Sequence, residues 1–302
     1  MTDRKQKLRI LFAIVGLLTF LIIWGLIFGV RLKGLLYEPL ITPEQWCQVQ
    51  PCLTFNLFGI SITLVQPTSS LIVYFLGFQT LIIGIILSFN RKKQTAHFWW
   101  GIALTLWGIG ALFAGTSYQA FSYEIKCAGN SFCFWTSWYE IIYLILSVGS
   151  VDAMFIAQLY SRVNIKNRKP FLIYIICHFL IYITIILSGA FISVKFLISF
   201  ELMVLFLSPN IGFFLVWSIW RYYLKRNRME RNLIIIWISL IFIIGIYFLY
   251  YLLGITEILW DGEIWFSEND VLHIGLIIWM FYIYITVKNH VMDLTIKSSK
   301  KA

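Results

Sequence analysis

Few side chains in this sequence can do acid–base or metal chemistry: four His, 14 Asp and Glu and five Cys among 302 residues. Two groups of them stand out by type and spacing. In the first, Asn269 and His273 are four apart, hence on one helical face, with Asp270 beside them. Gln119 and Glu140 fall at the ends of other apolar segments, at what should be the same depth. One imidazole, two carboxylates and two amides brought together would suit a metal, an activated water or a polar headgroup. The plainer reading is that acidic and amide residues gather at helix ends because they meet water there. Glu268 and Asp270 also suit a helix N-terminus, whose dipole favours negative charge. The second group is Asp152 with His178, each about 12 Å from the same boundary of consecutive apolar segments at 1.5 Å per residue. Equal depth predicts a carboxylate–imidazole pair, acting as a proton relay or cation site, or as a structural hydrogen bond. Ser208-Pro209-Asn210 lies mid-segment at a comparable depth, where proline predicts a kink and freed carbonyls.

Membrane helices are expected to carry these residues. The chain is 60% apolar and 13% charged, with mean hydropathy +0.82, whereas soluble domains are roughly 45–50% apolar and about 25% charged. Eight apolar segments, near 10–30, 69–89, 98–118, 138–160, 170–192, 198–220, 233–254 and 269–287, have the roughly 20 residues needed to cross a hydrocarbon core. In lipid such runs must bond their own backbone, which makes them helices. The expected fold is an all-α polytopic membrane protein, a single integral domain over 1–302. It comprises a tail and first helix at 1–30, an outer loop at 31–68, a seven-helix core at 69–287 and a tail at 288–302.

Of the 24 Lys and Arg, all but Arg31, Lys33, Lys126 and Lys195 fall on one side of these segments. The positive-inside rule then places both termini in the cytoplasm, with the cell (inner) membrane as the expected location. The net charge of +10 is spread over short clusters between apolar runs, which argues against nucleic acid and for membrane lipids or a protein partner at the basic cytoplasmic loops. The first segment has the basic flank of a signal peptide, but its long apolar run and the lack of a small-residue cleavage site predict a retained helix. Cys47, Cys52, Cys127 and Cys133 all fall in outer loops, where disulfides persist. Two local bridges are expected over a four-cysteine zinc site, while Cys177 is alone in the fifth segment. In the first outer loop Phe55, Leu57, Ile60, Ile62 and Leu64 alternate with Asn56, Ser61 and Thr63 around Gly59, which predicts a small β-hairpin. No paired His for haem or Cys cluster for iron–sulfur is present, against electron transfer. One interrupted helix without a counterpart argues against a repeat-built transporter.

The third segment ends Ala114-Gly115-Thr116-Ser117-Tyr118-Gln119, the fourth begins Trp138-Tyr139-Glu140, and the eighth begins Asn269-Asp270-Val271-Leu272-His273. Set on the seven spans that follow the first helix, these stretches resemble the CREST superfamily, which includes the alkaline ceramidases and the adiponectin/progestin-type receptors. In that family a Ser and a His end core helix two, an Asp lies in core helix three, and H-x-x-x-H in core helix seven; three His hold a zinc whose water attacks a lipid amide. The resemblance implies a lipid-directed intramembrane hydrolase with a pocket at the outer mouth of the bundle. His273, Glu140 and Asp270 would act as catalytic residues and ligands of one divalent metal such as zinc, and Gln119, Asn269, Tyr118 and Ser117 would bind the substrate. The sequence departs from the pattern at Gln119 and Asn269, amides where the family has His and poorer zinc ligands. The alternative is a non-catalytic lipid- or ligand-binding sensor built on the same pocket.

Overall fold

The computed structural model describes residues 2–89 and 94–294. The basic residues Arg91, Lys92, Lys93, Lys297, Lys300 and Lys301 lie outside them. Among the described residues eight helices are long and apolar enough to cross a membrane, and the chain is an all-α, multi-pass integral membrane protein. The long helices are α1 (Thr2–Phe28), α2 (Pro67–Ser88), α3 (Thr95–Ala114), α4 (Trp138–Arg162), α5 (Lys169–Ile192), α6 (Phe200–Lys225), α7 (Arg228–Leu252) and α8 (Glu268–His290). A π-helical turn, Gly115–Ala120, extends α3 two residues beyond the expected boundary.

Helices α2, α3, α4, α6, α7 and α8 close into a ring, each packed on the next and α8 returning to α2, while α5 leans on α4. The α4 helix is the most enclosed of the spans. The α1 helix rides outside, tied where Trp138 Nε1 donates to the Leu21 carbonyl at 2.5 Å. At the end carrying the basic loops, the first amides of α3 have no side-chain cap of their own. Asp293 supplies it, its two oxygens accepting from Thr95 N and Ala96 N at 2.8 Å each. A carboxylate there completes the orphan donors of a helix N-terminus and pins the segment after α8 to α3.

The opposite end is covered by a small ordered cap. The hairpin forms as expected, β1 (Cys52–Leu57) pairing antiparallel with β2 (Ile60–Val65). Its two-residue turn, Phe58-Gly59, has φ of 50° and 82°, the left-handed conformation that a tight hairpin needs and glycine accepts easily. Disulfides join Cys47 to Cys52 and Cys127 to Cys133. Both cysteines of the second pair are buried with Trp46 and Val65 in a satellite core. A short helix, Ser122–Lys126, is docked on the hairpin by Glu124, which accepts from Thr63 N at 2.9 Å.

The tightest seam is between α2 and α3. Gly77 and Gly84 on α2 oppose Gly108 and Gly101 on α3, so that a Cβ on Gly84 would stand 2.6 Å from Thr105 N and one on Gly108 2.6 Å from Leu81 N. Without a hydrophobic force between helices in lipid, such close backbone approach is what holds them together. Gly84→Ala should therefore cost about 1–3 kcal/mol through overpacking, seen as a lowered thermal midpoint in detergent. Gly245→Ala, whose Cβ would meet nothing within 4 Å, serves as the control. Equal midpoints for the two variants would show that the seam yields freely.

Candidate functional site

The π turn is where the site begins. One residue too many in a helical turn re-aims the side chains that follow, and such turns recur at functional sites. Here it points Ser117 toward α4 while Tyr118 and Gln119 line a mouth of about 320 Å³ at the end opposite the basic loops. Asn269 and His273 of α8, Tyr247 of α7 and Gln66 at the start of α2 complete its polar wall. The sequence-predicted residues Gln119, Tyr118, Asn269 and His273 are thus brought together.

Two polar atoms in this wall, His273 Nδ1 and Gln66 Oε1, are buried and without a hydrogen-bond partner. Leaving such a group unpaired costs about 1–3 kcal/mol, and native structures keep few of them. Both belong to side chains that line the same cavity.

The carboxylates expected beside His273 are engaged elsewhere. Glu140 is buried on α4, where it accepts from Ser117 Oγ at 2.7 Å and Thr136 Oγ1 at 2.9 Å and pairs with Lys126 Nζ at 2.5 Å. Ser117, expected to bind ligand, is spent on Glu140 and on Ser137 Oγ at 2.6 Å. Burial opposes the Lys126 charge, but the facing Glu140 carboxylate outweighs it and the Lys126 pKa lies above its ordinary value. The ammonium also sits over the Tyr118 ring, 5.1 Å from its centroid. Asp270, fully buried, forms the capping box of α8, accepting from Ser267 N at 2.6 Å. Among the described residues no three His, Cys, Asp or Glu side chains gather as metal ligands. Among the described residues the expected set of His273, Glu140 and Asp270 for a divalent ion is therefore not assembled: Glu140 is held by a lysine, and Asp270 caps its own helix through Oδ2.

The mouth continues inward. Tyr143, Phe200 and Leu272 line it and also line a second cavity of about 380 Å³ in the centre of the ring. That chamber is walled by Leu207, Leu240, Leu276 and Met154, with Trp237 and Trp279 among its lining residues. Its only hydroxyls are those of Tyr143, Ser147 and Ser208. Between α6 and α7 its lining includes Val204 and Ile241, themselves 41% and 51% exposed on the membrane-facing surface.

The second expected pair is formed. His178 Nδ1 lies 2.9 Å from Asp152 Oδ1 and 3.1 Å from Oδ2. Its Nε2 faces the Phe206 carbonyl and Asn210 Nδ2, each at 3.4 Å, and Tyr174 donates to Asn210 Oδ1 at 2.8 Å. Pro209 removes the amide that would have reached the Leu205 carbonyl, and Ser208 Oγ donates there at 3.0 Å. The pair thus belongs to a network joining α4, α5 and α6 next to the proline.

No protein-family model matches this chain, and no curated protein or solved structure matches it.

Removing Lys126 should expose what it does. Lys126→Met leaves Glu140 buried without its cation and is expected to destabilise the fold by about 3–5 kcal/mol. The double variant Lys126→Met/Glu140→Gln should recover most of that loss in thermal unfolding. A single variant as stable as the parent would show that the pair does not hold this end together.

Proposed function

We propose that this protein binds a membrane lipid, holding its polar group in the mouth and an acyl chain in the central chamber. What carries the reading is the joining of a polar pocket, with two unpaired buried groups, to an apolar chamber through the shared walls of Tyr143, Phe200 and Leu272. An amphiphile has that same division of chemistry. Each compartment lies within the roughly 300–1,000 Å³ of small-molecule sites. The exposed wall between α6 and α7 offers entry from the bilayer without passage through water. With the basic loops in the cytoplasm of a cell membrane by the positive-inside rule, the mouth opens toward the outer leaflet. Gln119, Asn269 and His273 then offer amide and imidazole groups to a headgroup carrying hydroxyls or an ester or amide.

The resemblance to the CREST superfamily would put lipid hydrolysis at this same mouth. In that second reading His273, which lines the pocket, acts as the base, Glu140 being held by Lys126 and Asp270 capping its helix through Oδ2. Binding without turnover is the reading the geometry supports better.

Lipids extracted from the purified protein and counted by mass spectrometry test it. Leu276→Trp, which fills the chamber, and His273→Ala with Gln119→Ala, which strips the mouth, should each lower bound lipid about tenfold, the effect of losing roughly 1.4 kcal/mol of affinity. Thermal midpoints in detergent should stay near the parent's. Lipid retained in full by both variants would remove the proposal. Hydrolysis of lipid amides or esters by the parent, lost in His273→Ala alone, would favour the enzymatic reading instead.

A further inference from the structure

We propose that a separate groove, between α5 and α6 at the basic end, holds the phosphate group of an anionic phospholipid. A cavity of about 510 Å³ opens there, lined by Arg162, Asn164, Asn167, Trp217, Trp220 and Arg221 among others. It does not touch the residues of the mouth or the chamber, and the inference is independent of them.

Charge is the first argument. Arg162 Nη2 lies 2.6 Å from Glu230 Oε2, and Arg221 Nε 2.8 Å from Glu230 Oε1. Two guanidinium ions therefore share one carboxylate, and one positive charge is left over in a setting where Arg162 and Glu230 are fully buried. A buried charge calls for a counter-charge. The Arg162 fork is spent on Gln158 Oε1 at 2.6 Å, Ser218 Oγ at 2.7 Å and Glu230, yet its buried Nε–H has no hydrogen-bond partner. Guanidinium groups with neighbouring amides are the donor set that phosphate oxygens favour.

Shape supplies the second argument. Arg168 donates to the carbonyls of Val163 and Tyr160, at 2.9 and 3.3 Å, and folds the loop between α4 and α5 back, which sets Asn164 and Asn167 at the cavity. On its membrane side stand Val216 and Trp220, 65% and 60% exposed; tryptophan there suits the headgroup level of a bilayer. Phe171 and Phe213 also line an adjoining cavity of about 410 Å³, which runs deeper between α5 and α6 past Phe155 and Pro209 to Tyr174 and Asn210. An anionic head with an apolar track behind it fits a phospholipid better than free phosphate, and basic pockets between helices on the cytoplasmic side take such lipids. The track ends on the hydrogen-bonded network of Asp152 and His178, which gives a lipid chain there contact with the proline-containing part of α6.

The full-length protein in detergent is titrated with dioleoylphosphatidylglycerol, with dioleoylphosphatidylcholine and with inorganic phosphate, followed by native mass spectrometry and thermal midpoint. The phosphatidylglycerol should bind about fivefold or more tighter than the phosphatidylcholine, and inorganic phosphate should leave the midpoint unmoved. Arg221→Gln, which removes the surplus charge beside Glu230, should erase that preference, and Asn164→Ala/Asn167→Ala should diminish it. The asparagine variant should keep the parent's midpoint in phosphatidylcholine, so it decides the matter if the arginine variant folds poorly. Equal binding of the two lipids, a preference undiminished in the asparagine variant, or a midpoint shift reproduced by phosphate alone would each overturn the proposal.

Discussion

A charge inside a membrane protein must bring its partner with it, and at the capped end of this bundle that partner is Lys126. The ion pair with Glu140 does more than neutralise a carboxylate. It ties a short helix of the extramembrane cap to the first turn of α4 and, through Ser117, to the π turn that ends α3. The hairpin hangs on the same short helix through Glu124, and Trp135 N reaches back to the Leu35 carbonyl at 2.7 Å. Tyr118 and Gln119, which follow Ser117 in the π turn, then have a fixed place in the mouth. The position of the pocket is thus a consequence of satisfying one buried carboxylate.

The same constraint recurs at two other depths, each time with a different solution. In the middle of the bundle Asp152 is met by His178, and the polar chain continues to Asn210 and Tyr174. At the basic end Glu230 is met by two arginines, leaving a surplus of charge instead of balance. Buried ionic groups add little net stability once their desolvation is counted; what they do here is fix which helices adjoin. Helices α4, α6 and α7 are locked at the basic end by Glu230 and α4, α5 and α6 at mid-depth by His178. The α2–α3 seam needs no such lock, because glycines bring the two backbones into contact.

Between these fixed points the ring leaves space. The chamber is lined by residues of α3, α4, α6, α7 and α8, and its aromatic lining includes Trp237 and Trp279, whose rings lie 6.4 Å apart. Apolar volume next to unpaired polar atoms is the arrangement of a site for an amphiphile, and the exposed side chains between α6 and α7 put that volume within reach of the surrounding lipid.

The eight spans, the hairpin and the Asp152–His178 pair are legible in the chain alone, and depth also groups Gln119, Asn269 and His273, though together with Glu140 and Asp270, which do not line the mouth. These follow from periodicity, length and depth, which a linear chain carries openly because a membrane fixes the axis along which each helix runs. What the carboxylates do follows from packing across the bundle. Lys126 reads in sequence as a loop residue on the thinly charged side and Glu140 as a free acid at a helix start; that they meet depends on how the cap folds over α4. Likewise Arg162 and Arg221 count in sequence only among the basic residues of one side, and the packing of α4 with α6 and α7 brings both onto Glu230. Asp270 could be read either as a ligand or as a helix cap, and the turn at Ser267 settled it as a cap. Depth is a one-dimensional property and is written in the chain, whereas pairing across the bundle depends on rotation and neighbour order, which hydropathy does not encode.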